Sequence, residues 1–247
     1  MRKSLKNLGQ LILALLLSSI WLVHSAGADA IAPVAVCDLQ GDTQDQHPAV
    51  EPATPSLDGS QIRLANWNIQ KASQQGWRHD LSLLGEDIES TGVMTLSRTP
   101  PISECLLSHQ EPWLLTPKAT GISTYRISDS PETLLVINLH AVNFTFGTSA
   151  LDQQLSDASS VISQHQGPVI FSGDFNTWST ARLRLLTSLI EQLGLSALDY
   201  TDDQRKLVFG LPLDHIFVRG LRVVSSGTRP VTSSDHNPIF ATFAVDS

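Results

Sequence analysis

Cysteine is nearly absent: Cys37 and Cys105 are the only two in 247 residues. They do not form a short-spaced pair, and no His-Glu-x-x-His occurs, which excludes the common zinc patterns. So distant a pair leaves two readings open, a single disulfide in an exported chain or two separate, partly buried thiols. A Walker-type glycine-rich phosphate loop is missing, as is the Gly-x-Ser-x-Gly turn of a serine hydrolase. No internal repeat recurs at a fixed period. Charge is sparse, 16% of residues against 41% hydrophobic, which excludes a wholly disordered chain and predicts a buried core. Basic residues are in deficit, 16 Lys and Arg against 24 Asp and Glu, for a net charge of −8. This balance argues against a nonspecific duplex-DNA binder, which gains affinity by neutralising phosphates, but leaves a small phosphodiester open.

The N-terminal apolar run, Leu11 to Val23, has 13 residues, short of the roughly 20 a helix needs to cross a bilayer. Arg2, Lys3 and Lys6 precede it and the small residues Ala26, Ala28 and Ala30 follow, a pattern that reads as a secretory signal over residues 1–28. The expectation is an exported protein, periplasmic or extracellular, with a membrane anchor formed by residues 11–23 as the alternative. Cleavage after Ala28 would remove three basic residues and no acidic one, leaving 219 residues and moving the net charge from −8 to −11. Residues 29–60 are rich in Pro, Asp, Gln and Thr without an apolar period, as in an extended lead-in or linker. The domain proper is expected over residues 61–247.

Within it, short apolar runs bounded by turn residues predict strands at Ile62 to Ile69, Gly92 to Ser97, Gly121 to Ile127, Thr133 to His140, Pro168 to Ser172, Asp214 to Val218 and Ile239 to Val245. Three- and four-residue apolar spacing predicts a helix from Trp77 to Glu89, and further helices are expected over Leu151 to His165 and Thr180 to Leu193. Ser179 is placed to cap the last of these and Gly194 to stop it. Strands interleaved with helices make the fold class α/β (α+β).

Polar residues stand where apolar runs end: Asn68, His140, Asp174 with Asn176, Asp214, and Asp235 with His236. Each alone has an ordinary explanation in a turn, a cap or a satisfied core histidine. Together they supply the carboxylate and amide oxygens that a hard divalent cation prefers, with two histidines for acid/base work.

Asn66-Trp67-Asn68-Ile69-Gln70, Asn138-Leu139-His140, Gly173-Asp174-Phe175-Asn176, Leu213-Asp214-His215-Ile216-Phe217 and Ser234-Asp235-His236-Asn237-Pro238 follow one another in an order that resembles the endonuclease/exonuclease/phosphatase superfamily. The likeness covers Gln61 to Val245. Its wording, including Asp203-Gln204-Arg205, is similar to a bacterial subgroup. The resemblance implies a four-layer α/β sandwich of two mixed β-sheets flanked by helices, with a site at one end of the sheets. It implies a divalent-metal-dependent phosphodiester hydrolase of the nuclease or phosphodiesterase class, with Mg²⁺ or Mn²⁺ as cofactor, Asn68 near the metal and Asp235 as a metal ligand. Asp174 and Asn176 would hold the attacking water and the phosphate, and His236, oriented by Asp214, would be the general base or electrostatic partner. His140 would contact the phosphate or protonate the leaving oxygen. Substrates implied are nucleic acid, a nucleotide or a phospholipid headgroup; no protein partner and no oligomeric state leaves a readable mark.

One part of the resembling pattern is missing. The family carries a metal-binding Gln-Glu on the strand after the first helix, whereas here the helix ending at Glu89 runs within two residues into Gly92-Val93-Met94-Thr95. A strand, a loop and a helix are expected to be absent. Gln110-Glu111 repeats the letters in a different setting, and Glu86 and Glu89 lie on the helix, where a solvated face is the ordinary reading. The alternative function is therefore a catalytically inactive family member with a binding or scaffold role in the cell envelope.

Overall fold

The structure is a computed structural model that describes residues 36–37, 55–68 and 97–246. The expected signal or anchor, most of the lead-in, the helix at 77–89 with Glu86 and Glu89, and the strand at 92–97 save Ser97 lie outside the described residues. The rest is an α/β sandwich with mixed sheets.

A six-stranded sheet is built from β2 (Ser103–Gln110), β3 (Pro117–Arg126), β4 (Thr133–His140), β5 (Val169–Asp174), β9 (Asp214–Arg219) and β6 (Ser196–Ala197), in that spatial order. Only β4 and β5 pair in parallel, joined through α1 (Ser149–Gln164); the other pairs are antiparallel. A three-stranded antiparallel sheet has the order β1 (Ile62–Asn66), β11 (Ile239–Val245), β10 (Leu221–Thr228). The short strands β7 (Leu207–Val208) and β8 (Leu211–Pro212) form a hairpin, and α2 (Thr180–Gln192) follows β5.

Strand periodicity of two sorts the core into two layers. On β4, Leu134 and Val136 face the three-stranded sheet and pack with Ile62, Ile239 and Phe243. Leu135, Ile137 and Leu139 point the other way, against Leu151, Leu155 and Ile162 of α1 and Leu186 and Ile190 of α2. Ser179 caps α2 by accepting from the Arg182 N–H, and Gly194 ends it at φ 64°.

The strands β2 and β10 were not among the expected elements. Both are edge strands, and β10 has the burial sequence of a mostly exposed ribbon, so neither shows a clean alternation of apolar and polar residues. Pairing also begins before Gln61: Leu57 bridges Ile127, and Val36 bridges Leu106.

Cys37 and Cys105 form a disulfide with Cα atoms 5.0 Å apart, which resolves the two open readings in favour of the bridge. It closes a loop across a sequence separation of 68 residues, so it limits the freedom of the unfolded chain. Reduction, or Cys37→Ser, is expected to lower stability by about 2–4 kcal/mol, read as a drop in the urea midpoint with and without reductant.

Candidate active site

Sheet register, not sequence proximity, assembles the site. At one end of the six-stranded sheet His140 pairs with Asp174 and Asp174 with Asp214, so three polar residues stand in a row across β4, β5 and β9. The other sheet delivers Asn68, two residues past β1, and the loop before β11 carries Asp235 and His236 to the same place.

Asp174 is the centre. Its Oδ2 accepts from Asn68 Nδ2 at 2.7 Å, and lies 3.6 Å from His140 Nε2 and 4.0 Å from His236 Nε2. Its Oδ1 accepts from the Asn176 backbone N–H at 2.9 Å. Burial, then the nearby Asp214 charge, pushes the Asp174 carboxyl above the usual carboxylate range, while His236, His140 and the Asn176 N–H pull it back. A carboxylate raised in this way is a stronger base than one in water.

His236 Nδ1–H donates to Asp214 Oδ2 at 2.6 Å. Burial alone would lower this imidazole, but the hydrogen bond and charge of Asp214, with the charges of Asp174 and Asp235, outweigh it and hold the ring at about 9. At neutral pH His236 is therefore an imidazolium whose Nε2 side faces Asp174. The loop is fixed from the segment just past β1: Trp67 Nε1–H donates to His236 O, and Ser234 Oγ–H donates to Asn68 O.

Several supporting residues left no functional signal in the sequence, Glu111 of the Gln110-Glu111 letter match excepted. Lys118 Nζ donates to His140 Nε2 at 3.0 Å, because an ammonium can only donate. Glu111, almost wholly buried, lies 3.7 Å from Lys118 Nζ and accepts from the Asn143 N–H at 2.9 Å. Gln154 of α1 donates to His140 O and accepts from the Val142 N–H. Arg182, fully buried on α2, donates to Asn176 O at 2.6 Å and Val142 O at 2.5 Å, and to Thr145 Oγ1. It thereby ties the loop after β4 to Asn176, whose φ is 49° and whose Nδ2 donates to Ala141 O. Gly173 has no freedom to be anything else, because a Cβ there would meet Leu139 O at 1.9 Å, inside the β4–β5 pairing.

Behind the row, His215 is stacked on Phe217 and buried. Its Nε2–H faces Thr177 Oγ1 and Pro212 O, and its Nδ1 faces Arg205 Nη1 at 3.4 Å. Arg205 is itself held by both oxygens of Asp203 and donates to Asp214 O, which pins the start of β9. Burial, then the Arg205 charge, lowers His215 to about 3. A proton therefore binds the unfolded imidazole near 6.5 but the folded one only near 3. The contribution of His215 to stability is complete above pH 6.5 and is lost as pH falls toward 3. His215→Gln is expected to flatten the pH dependence of the urea midpoint between pH 6.5 and 4 relative to the unsubstituted chain; parallel curves would contradict the assignment.

The donors expected to serve a cation are of the right type and fall short in number. Asn68 turns its amide N–H toward Asp174, and Asp235 is exposed on the loop. Among the described residues no group of three or more His, Cys, Asp or Glu is disposed to hold a metal ion. Glu111, the letter match for the missing ligand, is committed to Asn143 and Lys118.

Residues 43–236 match the profile described as the Endonuclease/Exonuclease/phosphatase family. A UPF0294 protein of Vibrio vulnificus is 32% identical over 94% of this chain and 95% of its own length. That alignment runs over 271 positions and uses 94% of the 247 residues here, about 232, so roughly forty positions of the relative have no counterpart here. An endonuclease/exonuclease/phosphatase from Beutenbergia cavernae shares the fold with a TM-score of 0.55 at 13% identity, over 76% of this chain and 72% of that one. Against the endonuclease/exonuclease/phosphatase of Bacteroides vulgatus the TM-score is 0.46 at 17% identity, and the chain spans 66% of that structure and matches over 60% of its own residues.

Proposed function

Because the chain belongs to the endonuclease/exonuclease/phosphatase family, we propose that it is a phosphodiester hydrolase working through Asp174, His236 and His140. The observation that carries this reading is the convergence of Asn68, His140 and His236 on one oxygen of Asp174. Water attacks phosphorus, its proton passes to Asp174, and the bond from phosphorus to the departing alcohol breaks. The His236 imidazolium, held by Asp214, offsets negative charge gathering on the phosphate. The departing oxygen takes its one proton from the coupled Lys118–His140 pair, in which the ammonium donates to His140 Nε2 and is left as the neutral amine once the proton has moved on. Asn176, locked by Arg182, orients the phosphate.

Mg²⁺ or Mn²⁺ is part of the proposal, with the oxygens of Asp235 and Asn68 as its donors on this chain. When bound, the cation would supply further charge neutralisation on the phosphate. With so few carboxylates its half-saturation is expected to be weak, on the order of millimolar. Export is proposed too, to the periplasm or the outside of the cell; the Cys37–Cys105 disulfide supports it, since such bonds persist in oxidising compartments.

The second reading, a binding or scaffold protein without turnover, is favoured by the roughly forty positions missing relative to the Vibrio vulnificus protein. Release of p-nitrophenol from bis-p-nitrophenyl phosphate by the full chain, titrated with Mg²⁺ and Mn²⁺ and compared with EDTA, separates the two. The hydrolase reading expects turnover rising into the millimolar range of cation. No release by a folded protein would support the scaffold.

A further inference from the structure

Beside Asn176 the surface opens into a cleft of about 660 Å³ that reaches from Asn176 and Trp178 to Trp113, Phe144, Phe146 and Phe209. None of the described residues lining it is charged. Three separate loops bring large apolar side chains to its rim: Trp113 between β2 and β3, Phe146 after β4, and Phe209 at the tip of the β7–β8 hairpin. These three are 63%, 79% and 87% exposed, a cost in water that a structural role does not explain.

Backbone conformation adds an independent sign. Phe209 and Gly210 have φ of 51° and 80°, the two left-handed positions of a tight hairpin, where Asn or Asp normally precedes Gly. A bulky aromatic is disfavoured there. Leu115, next in sequence to the cleft-lining Leu114 and 67% exposed, also has a φ of 51°. One strained, exposed aromatic thus lines the cleft, and a second strained apolar residue follows a lining position. Strain held at such places marks contact surfaces more often than scaffold.

We propose that this cleft is the hydrocarbon subsite of an amphiphilic phosphodiester, a phospholipid-like substrate whose phosphate lies at Asp174 and whose chain lies against Trp113, Phe146 and Phe209. The proposal rests on the hydrolase reading above, and continuity through Asn176 is what joins the two sites. A polynucleotide would need a cationic track for successive phosphates beside its stacking rings, and the described residues of the cleft lining offer none. A single phosphate with an uncharged tail needs only the one charged site and an apolar wall.

The test is binding, kept apart from turnover. Octyl-, decyl- and dodecylphosphocholine, each below its critical micelle concentration, are titrated against the full chain by tryptophan fluorescence, with a thymidine oligonucleotide as the competing class. Kd is expected to fall stepwise with chain length, by about tenfold or more from octyl to dodecyl, because each added methylene is buried. A Phe146→Ser/Phe209→Ser variant, both changes being at exposed positions, is expected to lose that slope while keeping its circular dichroism spectrum. A Kd independent of chain length, a slope unchanged in the variant, or tighter binding of the oligonucleotide than of dodecylphosphocholine would overturn the proposal. If the slope is present and bis-p-nitrophenyl phosphate is not hydrolysed, the subsite stands and the hydrolase reading falls; hydrolysis without the slope removes the subsite alone.

Discussion

Asp174→Ala is expected to lower kcat/KM for a phosphodiester by about a thousandfold or more, equivalent to about 4 kcal/mol of transition-state stabilisation. The substitution removes the proposed base and the oxygen on which Asn68, His140 and His236 converge. His236→Ala is expected to cost about a hundred- to a thousandfold, the range seen when one donor to a developing anion is lost. Asp214→Asn should cost less, because the ring would stay in place while losing the charge that holds it protonated. The fold should survive all three, since Asp174 and His236 lie at strand and loop ends and not inside either apolar layer. Circular dichroism alongside steady-state rates checks both halves; a thousandfold loss with an unfolded spectrum would say nothing for catalysis.

The second large effect is on stability. Arg182→Met retains much of the side-chain bulk but strands the carbonyls of Asn176 and Val142 away from water. Each buried acceptor left without a donor costs about 1–3 kcal/mol, so for the two a loss of about 2–6 kcal/mol is expected from urea denaturation. Activity should fall as well, because Asn176 sits at φ 49° with its carbonyl held by this guanidinium. Burial lowers the Arg182 guanidinium to about 10, against the pull of Asp174, so it remains charged at neutral pH. A variant with unchanged midpoint would mean the loops around Asn176 hold themselves.

Arg182 also shows where sequence reading stops. On a helix of alternating polar and apolar residues an arginine reads as solvent-facing, and nothing local says that it turns inward to three loop acceptors. Lys118 and Glu111 are similar: their meaning comes from β2 and β3 pairing beside β4, which places Lys118 against His140. By contrast β4 and β11 were legible to the residue, because both are apolar runs bounded by turn residues. The row His140, Asp174, Asp214 was legible as residues, each at the end of an apolar run, while its geometry came only from the register of three strands. Edge strands β2 and β10 escaped because half-exposed ribbons lack a strong period.

The role of His236 is the point on which structure sharpened the chemistry most. The residue pattern left it as base or electrostatic partner, and the Asp214 contact at 2.6 Å within an acidic, buried surround favours the charged ring. The base in the proposed reaction is then Asp174, whose carboxyl is pushed up by burial and by Asp214. The Asp174 carboxyl and the His236 imidazolium stand 4.0 Å apart, which in the proposed reaction would set a base on one side and a positive charge for the phosphate on the other.

The most direct measurement is p-nitrophenol release from bis-p-nitrophenyl phosphate by the full chain and by its Asp174→Ala variant, side by side, with millimolar Mg²⁺ or Mn²⁺. Turnover by the unsubstituted chain that drops about a thousandfold in the variant is the expected result. Equal rates from the two proteins would contradict the assignment of the site.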